Sequence, residues 1–239
     1  MSKKILCVIS ARGGSKGLKN KNFKDFCGKP LIAWSILQAK NSKYIQDVFI
    51  STDSDKISKV SKKYGAKVQF LRSKKLSKSY ISKFLVWKNA LEILEKKNKI
   101  KYDYFLDLDC TNPLRDSSDI DKFIRSFVRK KQLDGLITIC NSRKNPYFNM
   151  IEKNNKGYLE ISKKSKNQPT SRQLSPKVYD QVASMYIFKA NYIKRVKKLY
   201  DGKIDGYLLN EHQNFDIDNA LDYIIIQQLF KKFYIKKKV

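Results

Sequence analysis

Short apolar, β-branched runs alternate with longer stretches of helical periodicity along this chain. Residues 4–10, 47–52, 67–71, 102–107 and 135–140 read as strands, each four to eight residues long and bounded by polar or turn-forming residues. Between them, residues 82–97 place Trp87, Leu91 and Leu94 on one helical face, and residues 118–130 do the same with Ile120, Phe123, Ile124 and Phe127. This alternation predicts right-handed βαβ units and a mostly parallel sheet. Residues 145–177 break the rhythm: two short extended pieces, 147–152 and 157–161, sit in a polar, Lys- and Ser-rich stretch punctuated by Pro169 and Pro176. We read this stretch as a small excursion or dimer arm within one domain spanning residues 1–239. A strand at 183–188 then returns to the core, and a helix over 220–233 closes the chain.

In a parallel sheet of this kind ligands bind at the carboxyl ends of the strands, so the loop after the first strand comes first. It holds Gly13, Gly14 and Gly17 among Arg12, Lys16, Lys19 and Lys21. Glycines let backbone N–H groups approach phosphate oxygens, and the cations offset a triphosphate's charge. No segment fits the Walker pattern or G-x-G-x-x-G. Residues 13–17 do fit G-x-S-x-G, the turn that exposes a hydrolase serine. The crowd of cations argues against that use, and the single histidine, His212, lies in a polar run that reads as surface.

Composition narrows the picture further. The chain of 239 residues carries a formal charge of +29, which raises nucleic-acid binding as a class. Lysines outnumber arginines 43 to 8 and are spread along the whole chain, which argues against a recognition surface. No apolar run approaches the ~20 residues of a membrane span, and no signal-peptide pattern opens the chain, so a cytoplasmic protein is expected. Cys7, Cys27, Cys110 and Cys140 form no C-x-x-C pair and read as free thiols.

Two further segments carry chemistry. Asp216 and Asp218 flank Ile217 at an extended helix entry, so both carboxylates point to one side. That arrangement suits Mg²⁺, which takes one or two carboxylates plus phosphates and water; equally, Asp218 can be the N-cap of the last helix. The run Leu106-Asp107-Leu108-Asp109-Cys110-Thr111-Asn112-Pro113-Leu114-Arg115 leads from an inner strand into a loop. It reads either as ordinary turn chemistry or as a ligand-holding strand end.

Taken together these segments resemble the acylneuraminate cytidylyltransferases, or CMP-sialic acid synthetases. Ala11, Arg12, Ser15, Lys16, Gly17, Lys21 and Asn22 match that family's first-loop pattern, residues 50–54 its S-T-D segment, Thr111, Pro113, Leu114 and Arg115 its T-x-P-L-R, and Asp216, Asp218 and Asp222 its D-I-D-x-x-x-D. The resemblance implies a three-layer α/β/α sandwich of the nucleotide-diphospho-sugar transferase type, and a homodimer in which the excursion reaches toward the partner's site. It implies CTP bound by Ala11, Arg12, Gly13, Ser15, Lys16, Lys21, Asn22, Arg72 and Ser82, and Mg²⁺ on Asp216 and Asp218, with Arg12, Lys21 and the two aspartates catalytic. It implies a sugar acid bound by Asp109, Thr111, Arg115, Asn149, Arg172 and Gln173, with Arg172 gripping its carboxylate. The Arg143–Asn149 and Ser171–Gln173 segments resemble bacterial enzymes for legionaminic acid, whereas Asp109 stands where the sialic acid enzymes usually carry Gln. The reaction so implied is transfer of CMP from CTP to the anomeric hydroxyl of a nonulosonic acid, with an eight-carbon 3-deoxy acid such as Kdo as the alternative substrate.

Overall fold

The computed structural model describes residues 3–14 and 17–235. Six strands form one sheet: β1 (Ile5–Ser10), β2 (Val48–Ser51), β3 (Tyr104–Leu108), β4 (Gly135–Asn141), β5 (Tyr179–Lys189) and β6 (Ile204–Leu208). Their spatial order is β6-β4-β5-β3-β1-β2. β1 pairs in parallel with β2 and β3, as β6 does with β4. β5 alone runs antiparallel, between β3 and β4. It enters from the excursion without a crossover helix, so nothing obliges it to run parallel.

Alternation along β1 divides the core. Cys7 and Ile9 join Ile32 and Ile36 of α1 (Leu31–Lys40), Ile57 of α2 (Asp55–Lys63) and Phe123 of α4 (Ser117–Arg129) on one face. Leu6 and Val8 join Trp87, Leu91 and Leu94 of α3 (Lys83–Asn98) and Tyr192 of α5 (Ala190–Arg195) on the other. Helices therefore cover both faces, giving three layers. Each fully buried leucine here contributes about 2 kcal/mol of apolar transfer. A third, smaller cluster joins Phe26 and Leu31 to Leu114, Ile217, Ile226 and Phe230, and so fastens α6 (Ala220–Phe230) to the sheet's carboxyl edge.

Four expectations need adjustment. Residues 67–71 form no strand: Lys67 and Leu71 make isolated bridges to Phe49 and Thr52, and the three residues between them leave the ladder. The last α-helix ends at Phe230 and runs on as a π-turn over Lys231–Ile235. Its N-cap is Asn219, not Asp218: the Asn219 side chain accepts from the Leu221 and Asp222 N–H groups, while Asp222 accepts from the Asn219 N–H. His212 is half-buried, because the chain end returns and stacks Phe233 against it with ring centroids 4.2 Å apart. The excursion carries a hairpin of Ile151–Lys153 against Leu159–Ile161, on which Ile151, Tyr158 and Leu159 are exposed. The four cysteines are free, and no helix among the described residues is long and apolar enough to cross a membrane.

Candidate active site

The loop leaving β1 is held from three sides. The Ala11 N–H donates to the Ser51 carbonyl at 3.0 Å, and the Gly13 N–H donates to Asp53 Oδ1 at 2.9 Å. Asn22 Nδ2 then reaches back to the Arg12 carbonyl at 2.9 Å, and Asn22 Oδ1 accepts the Cys110 thiol at 3.2 Å. Asp53, a strand-end residue in the sequence, thus ties the glycine loop to β2. Asn20 takes a left-handed φ of 61°, which short polar side chains tolerate, and starts the 3-10 turn Lys21–Phe23. That turn sends Lys21 and Asn22 inward, where both are buried.

Lys21 meets the acidic segment. Its Nζ donates to the Ile217 carbonyl and lies 3.2 Å from Asp218 Oδ1. Gly17 packs so closely on the Asp218 backbone that a Cβ there would collide with the carbonyl oxygen. Ile217 itself is fully buried and its N–H donates to the Thr111 carbonyl at 2.9 Å, so the segment is pinned to the end of β3. Asp216 is half-buried, and burial, then the charges of Asp218 and Asp109, push its carboxyl above the usual range against the pull of Lys21. A carboxyl raised by neighbouring negative charge suits a cation. Among the described residues no cluster of three or more acidic, His or Cys groups stands ready to enclose a metal by itself. The two carboxylates Asp216 and Asp218 are oxygen donors of the kind Mg²⁺ takes, one or two at a time alongside phosphate and water.

These elements border a cleft of about 490 Å³, lined among others by Arg12, Gly17, Lys21, Asn22, Arg72 and Asp218. Arg72 is buried, with Nε on Ser77 Oγ at 3.0 Å; burial lowers its pKa, Arg12 adds to this, and Asp53 opposes it. Ser82 does not line the cleft. Its hydroxyl caps α3, accepting from the Phe84 N–H at 3.2 Å. Ser15 and Lys16 lie outside the described residues.

Of the residues expected to hold a sugar acid, Asp109 and Thr111 line the cleft, with the Thr111 N–H and hydroxyl donating to Asp109 Oδ1 at 3.1 and 3.0 Å. Arg115 takes a different place from the one expected of it. It is almost completely buried and donates to the carbonyls of Asn112 and Asp109 and to the hydroxyls of Ser35 and Ser184, so it braces the loop from beneath. Asn149 accepts the Asn145 N–H at 2.8 Å within the excursion's base. Arg172 and Gln173 are exposed on the excursion, with Arg172 donating to the Arg143 carbonyl at 2.6 Å. None of these three borders the cleft in the single chain.

The sequence reading passed over Lys83. Its ammonium lies 2.7 Å from Asp107 and 2.6 Å from Asp109, beside the rings of Tyr186 and Trp87. One lysine among 43 carries no signal of its own; only its place directly after the Ser82 cap, opposite a strand end with two aspartates, could have marked it.

A glycine-rich cationic loop facing paired aspartates at the carboxyl end of a parallel sheet defines a nucleotide-binding α/β transferase. The chain belongs to the cytidylyltransferase family, which matches it over residues 6–238. It is 40% identical over 234 residues to the post-translational flagellin modification protein B of Campylobacter coli, covering 98% of both chains. It is 42% identical over 226 residues to a CMP-N,N'-diacetyllegionaminic acid synthase of Campylobacter jejuni, covering 94% of each. In fold it is similar to a CMP:2-keto-3-deoxy-manno-octonic acid synthetase solved with CTP, at a TM-score of 0.71 and 14% identity, covering 96% of this chain and 99% of that one.

Proposed function

We propose that this enzyme transfers CMP from CTP to the anomeric hydroxyl of a nonulosonic acid of the legionaminic type, in the cytoplasm and as a homodimer. The observation that carries the reading is the junction of Gly17 and Lys21 with the Asp216–Asp218 segment, in a chain 42% identical to a CMP-N,N'-diacetyllegionaminic acid synthase along nearly its whole length. The sugar hydroxyl oxygen forms a bond to the α-phosphorus, the bond to the pyrophosphate oxygen breaks, and the hydroxyl proton passes to solvent. Arg12 and Lys21 oppose the charge that grows on the leaving pyrophosphate, a preorganised contribution of about 3 kcal/mol per group. The Gly13 and Asn22 hydrogen bonds fix the loop before substrate arrives, so orientation costs little at the moment of reaction. Asp216 and Asp218 would hold Mg²⁺, which supplies Lewis-acid polarisation of phosphate oxygens and lowers the pKa of the attacking hydroxyl.

Exposed Ile151, Tyr158, Leu159 and Leu174 on the excursion support a partner copy covering that arm. A second copy seated there would bring Arg172 and Gln173 toward its own cleft, which accounts for their distance from the cleft of their own chain. Pyrophosphate release from CTP with Mg²⁺, tried with N-acetylneuraminic, legionaminic, pseudaminic and Kdo acids, tests the reaction. Turnover with a nonulosonic acid is expected; turnover with Kdo alone would shift the substrate to the eight-carbon class, and silence with all four would refute the assignment.

A further inference from the structure

Asp107 lies in β3 and Asp109 one residue past its end, two positions apart along extended backbone, so both face the same side of the sheet. Left alone, two carboxylates there would repel each other and any anionic substrate entering the cleft. Lys83 bridges them, at 2.7 Å from Asp107 Oδ2 and 2.6 Å from Asp109 Oδ2. Burial works against its ammonium, but the two carboxylates outweigh that and keep it charged far beyond the physiological range.

Hydrogen-bond counting leaves a remainder. An ammonium has three donors; Lys83 gives one as a hydrogen bond to Asp109 Oδ2 and faces Asp107 as an ion pair, its other neighbours being the rings of Tyr186 and Trp87. A carboxylate offers about four acceptor positions. Asp109 fills two at Oδ1 with the Thr111 N–H and hydroxyl and one at Oδ2 with Lys83. Asp107 is wholly buried, whereas the Lys83 and Asp109 side chains are 33% and 14% exposed, and both line the cleft. One N–H donor and one carboxylate acceptor therefore stand side by side, 2.6 Å apart, at the cleft wall.

A hydroxyl group is the complement of such a pair, since it can donate to Asp109 and accept from Lys83 at once. We propose that Lys83 and Asp109 together read a hydroxyl of the sugar acid, with Lys83 as a specificity-determining residue. This rests on the transferase reading above. The ribose of CTP also offers hydroxyls, but Asp109 adjoins the reacting end of the cleft: its neighbour Thr111 accepts through its carbonyl from the Ile217 N–H, between the two aspartates, and lines the cleft together with Asp218.

The test compares wild type, Lys83→Gln, Lys83→Arg and Asp109→Asn by steady-state pyrophosphate release and thermal melting. The varied substrates are the preferred acid from the panel, CTP, and 2′-deoxy- and 3′-deoxy-CTP. Loss of a hydrogen bond to a charged group predicts KM for the acid raised about 10- to 100-fold in Lys83→Gln and Asp109→Asn, with KM for CTP and the deoxy-CTP penalties unchanged. Lys83→Arg keeps the counter-charge, and so the fold, but displaces the donor; its KM for the acid should rise while its melting temperature stays near wild type. Full recovery of KM in Lys83→Arg would make Lys83 a counter-ion only and overturn the proposal. Loss of a deoxy-CTP penalty in Lys83→Gln would move the contact to the ribose and likewise overturn it. Silence of the wild type with every acid would bring down the transferase reading as well, which separates the two failures.

Discussion

Gly17→Ala isolates the junction on which the active site depends. An added Cβ would stand 3.2 Å from the Asp218 carbonyl carbon and far inside contact distance of its oxygen. Relief requires the glycine loop and the Asp218 backbone to part by about 1 Å, the scale at which misplacement costs ~100-fold in rate. The same parting stretches the contact of Lys21 Nζ with Asp218 from 3.2 Å toward the limit of a direct ion pair. Gly17 is exposed, so the loop can yield, and the stability cost should stay near the low end of ~1–3 kcal/mol for overpacking. Gly14→Ala is the control for folding, because nothing of the chain lies within 4 Å of a Cβ built there. Steady-state pyrophosphate release should show kcat/KM falling about 100-fold in Gly17→Ala, with both variants melting cooperatively and Gly14→Ala at the wild-type temperature. A Gly17→Ala enzyme with wild-type kcat/KM would show that the close approach to Asp218 does not set the reacting geometry.

Asp218→Asn should abolish Mg²⁺-dependent turnover with an unchanged melting temperature, since its side chain is 74% exposed and supports little packing; normal turnover would remove it from the metal assignment. Arg115→Met should lower stability by about 3 kcal/mol or more, because four acceptors beneath the β3–α4 loop lose their donor. A folded Arg115→Met enzyme altered only in its KM for the acid would restore the sugar-contact role expected from the motif. Glu95 is buried, a position that raises its pKa, yet Lys194 at 2.5 Å and the Tyr102 N–H at 3.2 Å outweigh burial and hold it below the ordinary value. A depressed pKa stabilises the fold above the unfolded-state value of about 4.3 and loses that contribution as pH falls through the folded one. Glu95→Gln should therefore cost about 1–3 kcal/mol in urea unfolding at pH 7 and a shrinking amount below about pH 4; an equal cost at both pH values would refute the ion-pair account.

The sheet was legible where apolar runs were dense, as along Ile5–Ser10 and Gly135–Asn141, and where a helix showed one clean face, as with Trp87, Leu91 and Leu94. Other elements were not. The stretch Ile204–Leu208 places only Ile204, Tyr207 and Leu208 among polar neighbours, and its pairing with β4 is decided by the sheet edge left open there. The helix Leu31–Lys40 is apolar on nearly every side because the third core cluster and the sheet both bury it, so a single amphipathic stripe is absent.

The same distinction governs the site. Residues that act through loop chemistry, such as Arg12, Gly17 and Lys21, announce themselves in a contiguous segment. Roles made by contacts across the fold do not. Arg115 sits where a ligand arginine would be sought in sequence, yet Ser35 and Ser184, 80 and 69 residues away, draw it into the interior. Lys83 shows the converse: an ordinary-looking lysine at a helix start gains its chemistry only from Asp107 and Asp109, which β3 brings up 24 and 26 residues later. Asp218 joins both cases. Asn219 takes the capping hydrogen bonds of α6, so the exposed Asp218 carboxylate stays turned to the cleft beside Lys21, where a cation and a triphosphate can use it.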